Sequence, residues 1–358
     1  MENVNPVRNS DTNAKPITAF LCKEEVSNGV NAAFGELQER IRERGLLRAD
    51  PMFYVRRAAF ALALVAISIA VIIRVDHFGI QMANAVLLAF AFGQLGLILH
   101  DVGHGQVVAG RRYRAMEIVF DIILGWSLAW WVQKHNRHHA FPNQPGYDPD
   151  VGIAFLAFSE EQAHAKKGLY RFTSRYQNIL FIPMLLGEVW HLRWASIAYL
   201  VRQRTLKSAM GILLIALHLV LYLGLLLYYL PWWQAAAFAA VHWGMLGIYL
   251  GMIFAPNHKG MPMFEHGKAP GYMEQQVLTS RNVRGGWLVD MVYGGLNYQI
   301  EHHLFPAMPR SRLGHAAPFV EAFCREKNIP YFAVGIRESL REIFGHFTRV
   351  GKAVDAAI

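Results

Sequence analysis

The chain has 358 residues, of which 54% are hydrophobic, 13% aromatic and only 17% charged, with a formal net charge of +9 and a mean hydropathy of +0.20. That balance excludes an ordinary soluble domain and fits one multi-span helical unit in a membrane. Its two cysteines, Cys22 and Cys324, lie far apart in no CxxC pair, which excludes a disulfide framework and a thiolate metal site.

Residues 1–50 are polar and mixed in charge, without the early apolar run or small-residue cleavage site of a signal peptide. They are expected to form a cytoplasmic, partly flexible N-terminal segment, with helical spacing emerging over residues 30–47. A span needs roughly 20 apolar residues to cross about 30 Å of hydrocarbon, and the segments 58–73, 80–99, 209–230 and 233–254 qualify. They pair as two hairpins, one closed by RVDHFG and the other by YLPWW, where Pro231 stops a helix and Trp232 and Trp233 suit the headgroup zone. Two further apolar stretches, 117–131 and 178–200, are interrupted by Asp121, Glu188, His191 and Arg193, and are expected to be interfacial or partly embedded helices.

Basic residues set the expected orientation. Arg56 and Arg57 precede the first span, Arg111, Arg112 and Arg114 follow the second, Arg202, Arg204 and Lys207 precede the third, and Arg310 and Arg312 lie beyond the fourth. Both termini and the long middle segment should therefore be cytoplasmic. Because these charges track membrane boundaries and form no stripe with interleaved aromatics, the basic balance does not point to nucleic acid. The expected fold is all-α: an integral membrane protein with four transmembrane helices in two hairpins, and a cytoplasmic helical cap holding a histidine-rich site. The expected divisions are 1–50 as the N-terminal segment, 51–312 as the membrane domain, and 313–358 as a cytoplasmic C-terminal helical segment.

Sixteen histidines are present, and three clusters stand out: HDVGH from His100 to His104, HNRHH from His135 to His139, and QIEHH from Gln299 to His303. On helices, His100 with His104, His135 with His138 and His139, and Gln299 with His302 and His303 each project from one face. Three such helices meeting at the membrane surface would supply enough nitrogen ligands for two metal ions. Imidazole suits iron, copper, zinc or nickel, and a redox task without thiolate favours iron. The second ring nitrogens need outer acceptors, for which Asp101, Asp148, Asp150 and Glu301 are candidates; solvation or helix capping is the other role open to these acids. His218 and His242 fall inside spans, where a hydrogen bond to a neighbouring helix is favoured over lining an acyl cavity, and His191 reads as an interfacial anchor. His77, His164, His266, His315 and His346 are assigned no role. The absence of HExxH argues against a zinc peptidase, and a bis-histidine haem carrier is a further alternative.

HDVGH, HNRHH with the following FPNQPGYDPD, and NYQIEHHLFP resemble the three histidine boxes of membrane fatty acid desaturases, in the branch whose third box begins with glutamine. The resemblance covers about residues 90–312. It implies two iron ions, dioxygen as co-substrate, and a cis double bond introduced into an acyl chain carried as acyl-CoA, acyl carrier protein or lipid. The implied ligands are His100, His104, His135, His138, His139, His302 and His303, with His258 of APNHKGMP as a further one. Gln299 departs from an all-histidine pattern, and its side chain could coordinate directly, hold a water or only hydrogen-bond. No HPGG haem motif stands in the chain, so the resemblance implies an external electron donor such as ferredoxin or cytochrome b5. A di-iron hydroxylase of an acyl or alkyl chain is the alternative reading of the same boxes.

Overall fold

The computed structural model describes residues 31–108, 110–265, 267–268 and 271–355. The polar stretch before residue 31 and His266 lie outside the described residues. A helix α1 (Asn31–Glu43) answers the periodicity expected over 30–47, ending four residues earlier where Gly45 turns the chain.

Among the described residues, four helices are long and apolar enough to cross a membrane: α2 (Pro51–Arg74), α3 (Phe78–Gly103) and, later in the chain, Leu206–Tyr229 and Trp232–His258. Each extends beyond its apolar core, because local chemistry keeps the helix going. Asp50 caps α2 by accepting from the Phe53 amide with Pro51 in the first turn, and a reciprocal Thr205–Ser208 capping box opens the third span. At about 1.5 Å per residue, 26- and 27-residue helices run to about 40 Å. That exceeds about 30 Å of hydrocarbon by roughly two turns. In α3 and the fourth span, the overhang is the turn that carries His100 and His258.

The first hairpin is closed by buried amides. Gln81 donates to the carbonyls of Val71 and Val75, and Asn84 to that of Ser68, which satisfies α2 backbone oxygens that lipid could not. Between the two hairpins lie α4 (Arg111–Leu124), α5 (Leu128–Ala140), the short α6 (Glu160–Ala165), α7 (Gly168–Arg175), α8 (Gln177–Leu185) and α9 (Glu188–Gln203). The spans Leu206–Tyr229 and Trp232–His258 are α10 and α11. Helices α4 and α5 meet at 101°. The start of α4 follows the end of α3, and α5 returns its histidines to that same end, so the pair is a re-entrant hairpin and not a crossing. The acids of this stretch have local partners. Asp121 accepts from the Leu128 amide across the bend, and Glu117 pairs with Lys207 at 3.0 Å. The stretch expected over 178–200 is two helices, α8 and α9, broken at Gly187. Gly247 of α11 packs so closely on the Leu185 carbonyl that an added Cβ would lie 2.1 Å from it.

After α11 come α12 (Tyr272–Leu278), β1 (Asn282–Arg284), α13 (Gly286–Tyr293), α14 (Gln299–Leu304), α15 (Arg310–Glu326), β2 (Ala333–Gly335) and α16 (Ile336–Ala353). The expected all-α fold holds, apart from a parallel pairing of β1 with β2 that puts Asn282 opposite Ala333. Helix α1 packs with α12, α14 and α15 in a core of its own, around Leu37, Ile41, Ile300, Leu313 and Phe323. Residues 33–47 and the residues of α15 thus share one core.

Candidate metal centre

Four elements deliver the box side chains to one end of the bundle. His100 lies in the last turn of α3 and His104 is its C-terminal cap. His135, His138 and His139 share one face of α5, His258 ends α11, and His302 and His303 lie on α14. All eight rings are buried, with none more than 7% exposed. Within the described residues, the nitrogens of His100, His104, His135 and His302 lie within 4.8 Å of one another, as do those of His138, His258 and His303. His139 stands between the two groups, 3.1 Å from His135 through their Nε2 atoms and stacked on His303 with ring centroids 4.2 Å apart.

The spacing is that of a ligand set. His135 Nε2 is 3.0 Å from His104 Nε2 and 3.1 Å from both His100 Nε2 and His139 Nε2. A neutral imidazole nitrogen carries one proton or one lone pair, so it can satisfy one such contact as a hydrogen bond but not three. Metal–nitrogen bonds of about 2.1 Å at right angles, by contrast, put neighbouring donors about 3.0 Å apart. In the second group, His258 Nε2 and His303 Nε2 are 3.1 Å apart. His302 has neither ring nitrogen in a hydrogen bond although it is fully buried, and His104 Nδ1 and His139 Nδ1 are likewise unpartnered. A bound cation would satisfy the inward nitrogens, so the residues fit a metal centre.

Outer acceptors fix which nitrogen faces inward. His100 Nδ1 meets Asp101 at 3.0 Å, His138 Nδ1 meets Asp148 at 3.0 Å, His258 Nδ1 meets the Thr279 carbonyl at 3.0 Å, and His303 Nδ1 meets Gln276 Oε1 at 2.9 Å. With the Nδ1 proton donated outward, each Nε2 lone pair points into the cluster. Asp101 and Asp148 therefore stand where the sequence suggested. Asp150 is 3.6 Å from His138 and is engaged chiefly by Lys134. Glu301 takes a different position: its carboxylate accepts from Asn282 at 2.7 Å and Tyr331 at 2.8 Å, and no imidazole is among its hydrogen-bond partners. The β1–β2 pairing brings those two donors together, and Asn282 Oδ1 accepts from the Ile300 amide to seat α14.

Gln299 lies inside the second group. Its Oε1 accepts from Asn257 at 3.1 Å and its Nε2 is 2.9 Å from His258 Nε2. Burial holds His104, His302 and His303 well below the usual imidazole range, the neutral form that ligation needs. Burial also opposes charge on His138, yet the Asp148 carboxylate beside it outweighs burial and moves this ring upward from the usual imidazole range. Burial pushes Glu301 up to about 7. Sequence reading missed Gln276, the Thr279 carbonyl and Asn143, which donates to the carbonyls of His258, Pro262 and Thr279. It also missed Trp131, stacked on His135 at 4.4 Å.

A bundle of apolar spans topped by this nest defines a polytopic membrane protein with a histidine-rich metal centre. Residues 78–335 match the family profile described as fatty acid desaturase. The chain is 30% identical to an acyl-lipid (9-3)-desaturase of Physcomitrium patens, over 89% of this chain and 63% of that protein. It is also 30% identical to a Delta(5) fatty acid desaturase of Caenorhabditis elegans, over 87% and 72%, and 28% identical to a Delta(8)-fatty-acid desaturase of Euglena gracilis, over 85% and 75%. The alignment thus spans under two thirds of the moss protein's length. The chain belongs to the fatty acid desaturase family.

Proposed function

We propose that this chain is an oxygen-dependent acyl desaturase that places a cis double bond in a lipid acyl chain, using two iron ions and electrons from a separate redox protein. The observation that carries the reading is the convergence of eight buried imidazoles, seven in two adjoining groups and His139 between them, in a member of a family whose compared relatives are named as desaturases of fatty acids or acyl lipids. His100, His104, His135 and His302 would hold one ion, and His138, His258 and His303 the other, with His139 at their boundary. Gln299, whose amide nitrogen faces inward, would donate a hydrogen bond rather than coordinate.

When bound, the irons would activate dioxygen, which is the oxidant: two hydrogens leave adjacent methylenes, and dioxygen with two electrons and two protons ends as two waters. The chain's own residues do the rest. Asp101, Asp148, Thr279 and Gln276 orient the rings, and Trp131 and Phe254 pack against His135 and His100. The basic residues at the box-bearing ends of the spans support a cytoplasmic site and cytoplasmic termini. The carrier of the acyl chain, whether coenzyme A, carrier protein or lipid, and a donor such as ferredoxin or cytochrome b5, belong to this proposal.

Expression in a host lacking the activity, followed by lipid profiling, tests it. A new cis-unsaturated acyl species, absent when His135→Ala replaces the wild type, is the expected result. A hydroxylated chain with no new double bond would instead make the protein a hydroxylase.

A further inference from the structure

Only two of the box histidines lean on a carboxylate, and the two carboxylates are held differently. Asp148 is fixed by backbone, through the amides of Asn143 and Asp150, both at 2.8 Å. Asp101, fully buried, gives one oxygen to His100 and the other to the Arg310 Nε in an ion pair between two buried side chains. Arg310 also donates through Nη1 to the Gly294 carbonyl at 2.9 Å, at the left-handed C-terminal cap of α13. Its own backbone amide reaches the Tyr54 hydroxyl at 3.4 Å, and Tyr54 donates to Gln106, which donates to the Pro306 carbonyl. Ser311 bonds Asp50, the cap of α2. A single guanidinium thus joins the start of α15, the end of α13 and the last turn of α3.

We propose that Arg310 is a positioning residue for the metal centre, holding His100 at the metal through Asp101. The inference rests on the metal-binding reading above. A planar fork that satisfies Asp101 with one nitrogen and the α13 cap with another sets the carboxylate's rotation, and hence the direction of the imidazole. Lysine keeps the charge and loses the fork. Gly294 has φ +62°, and a Cβ there would lie 2.2 Å from Arg310 Nη1, so Gly294→Ala displaces the guanidinium without removing any charge.

The test uses the full-length protein purified in detergent, with iron per chain by elemental analysis, the rate of iron release to a ferrous chelator, and thermal unfolding. Arg310→Gln is expected to release iron about 10–100-fold faster than wild type, with Arg310→Lys and Gly294→Ala between them. The charge-neutral double variant Asp101→Asn with Arg310→Gln separates folding from positioning, since it leaves no unpaired buried ion: thermal stability returns towards wild type while fast iron release persists. Release from Arg310→Gln within about twofold of wild type, or a double variant that restores retention as well as stability, overturns the proposal. The comparison with His100→Ala tells the two readings apart. Iron held by wild type and lost from His100→Ala leaves only the role of Arg310 at stake, whereas wild type that holds no iron overturns the metal reading and this proposal with it.

Discussion

Two groups of histidines are buried in this molecule, one at the box-bearing end and one within the spans, and they differ in where their nitrogens go. At the box end, the Nε2 atoms of His100, His104 and His139 crowd to 3.0–3.1 Å from that of His135, while His100 and His138 turn their Nδ1 atoms outward to carboxylates. Within the spans, no two imidazole nitrogens face each other: the rings bond to other partners, and the one nitrogen left over, His242 Nε2, stands alone. His218 donates from Nδ1 to the Ile122 carbonyl at 2.9 Å and accepts at Nε2 from Arg193 at 3.1 Å, while His242 Nδ1 meets the Tyr222 hydroxyl at 2.8 Å. The first arrangement leaves lone pairs facing one another and needs a cation. The second ties α4, α9, α10 and α11 together and needs none. Burial of histidine therefore does not distinguish a metal site from a helix clasp; convergence of unshared lone pairs does.

The largest effect should follow removal of a central ligand. His302→Ala and His135→Ala should each lower bound iron and turnover by more than the ~100-fold that outer partners cost, whereas His242→Ala should keep its full iron content. Elemental analysis of the three purified variants checks this, and iron loss from His242→Ala would erase the distinction drawn between the groups. A smaller loss is expected one layer out. Asp148→Asn or Gln276→Leu should weaken iron binding by ~10–100-fold while leaving the fold intact, measured by competition with a chelator. Equal affinity in Gln276→Leu would mean that His303 takes its orientation from packing alone.

Much of this was legible in the sequence because the relevant physics is local. Helical spacing puts His135, His138 and His139 on one face, and apolar length marks the spans, so both survive folding unchanged. The four spans, the common end for all three boxes, and Asp101 and Asp148 beside their histidines followed from such signals. What escaped depends on distant contacts. Gln276 reaches His303 from α12, 27 residues away, with no motif of its own, and the Thr279 carbonyl that orients His258 is backbone, which no residue type announces. Glu301 shows the reverse. Its place inside a box suggested an imidazole partner, but α14 turns it outward to Asn282 and Tyr331, which only the β1–β2 pairing brings within reach. The 101° bend of α4 and α5 was legible as cost, through Asp121, but its geometry was not, since Asp121 bonds across the bend to Leu128.

The smallest effect belongs to the clasp. Tyr222→Phe removes the hydroxyl 2.8 Å from His242 Nδ1 and leaves the two rings in contact, their centroids 5.3 Å apart. In water, losing a buried partner would cost the full desolvation of the orphaned nitrogen. Between membrane helices, the unfolded reference also finds partners, so the expected loss is about 0.6 kcal/mol, near the average for such bonds. Reversible unfolding in mixed detergent micelles measures it, with iron content followed in the same samples. A loss near that size with iron unchanged makes the clasp a bond between helices and nothing more, whereas iron loss from so small a change would mean that the spans transmit their packing to the box end through α3 and α11, the two helices that run from one group to the other.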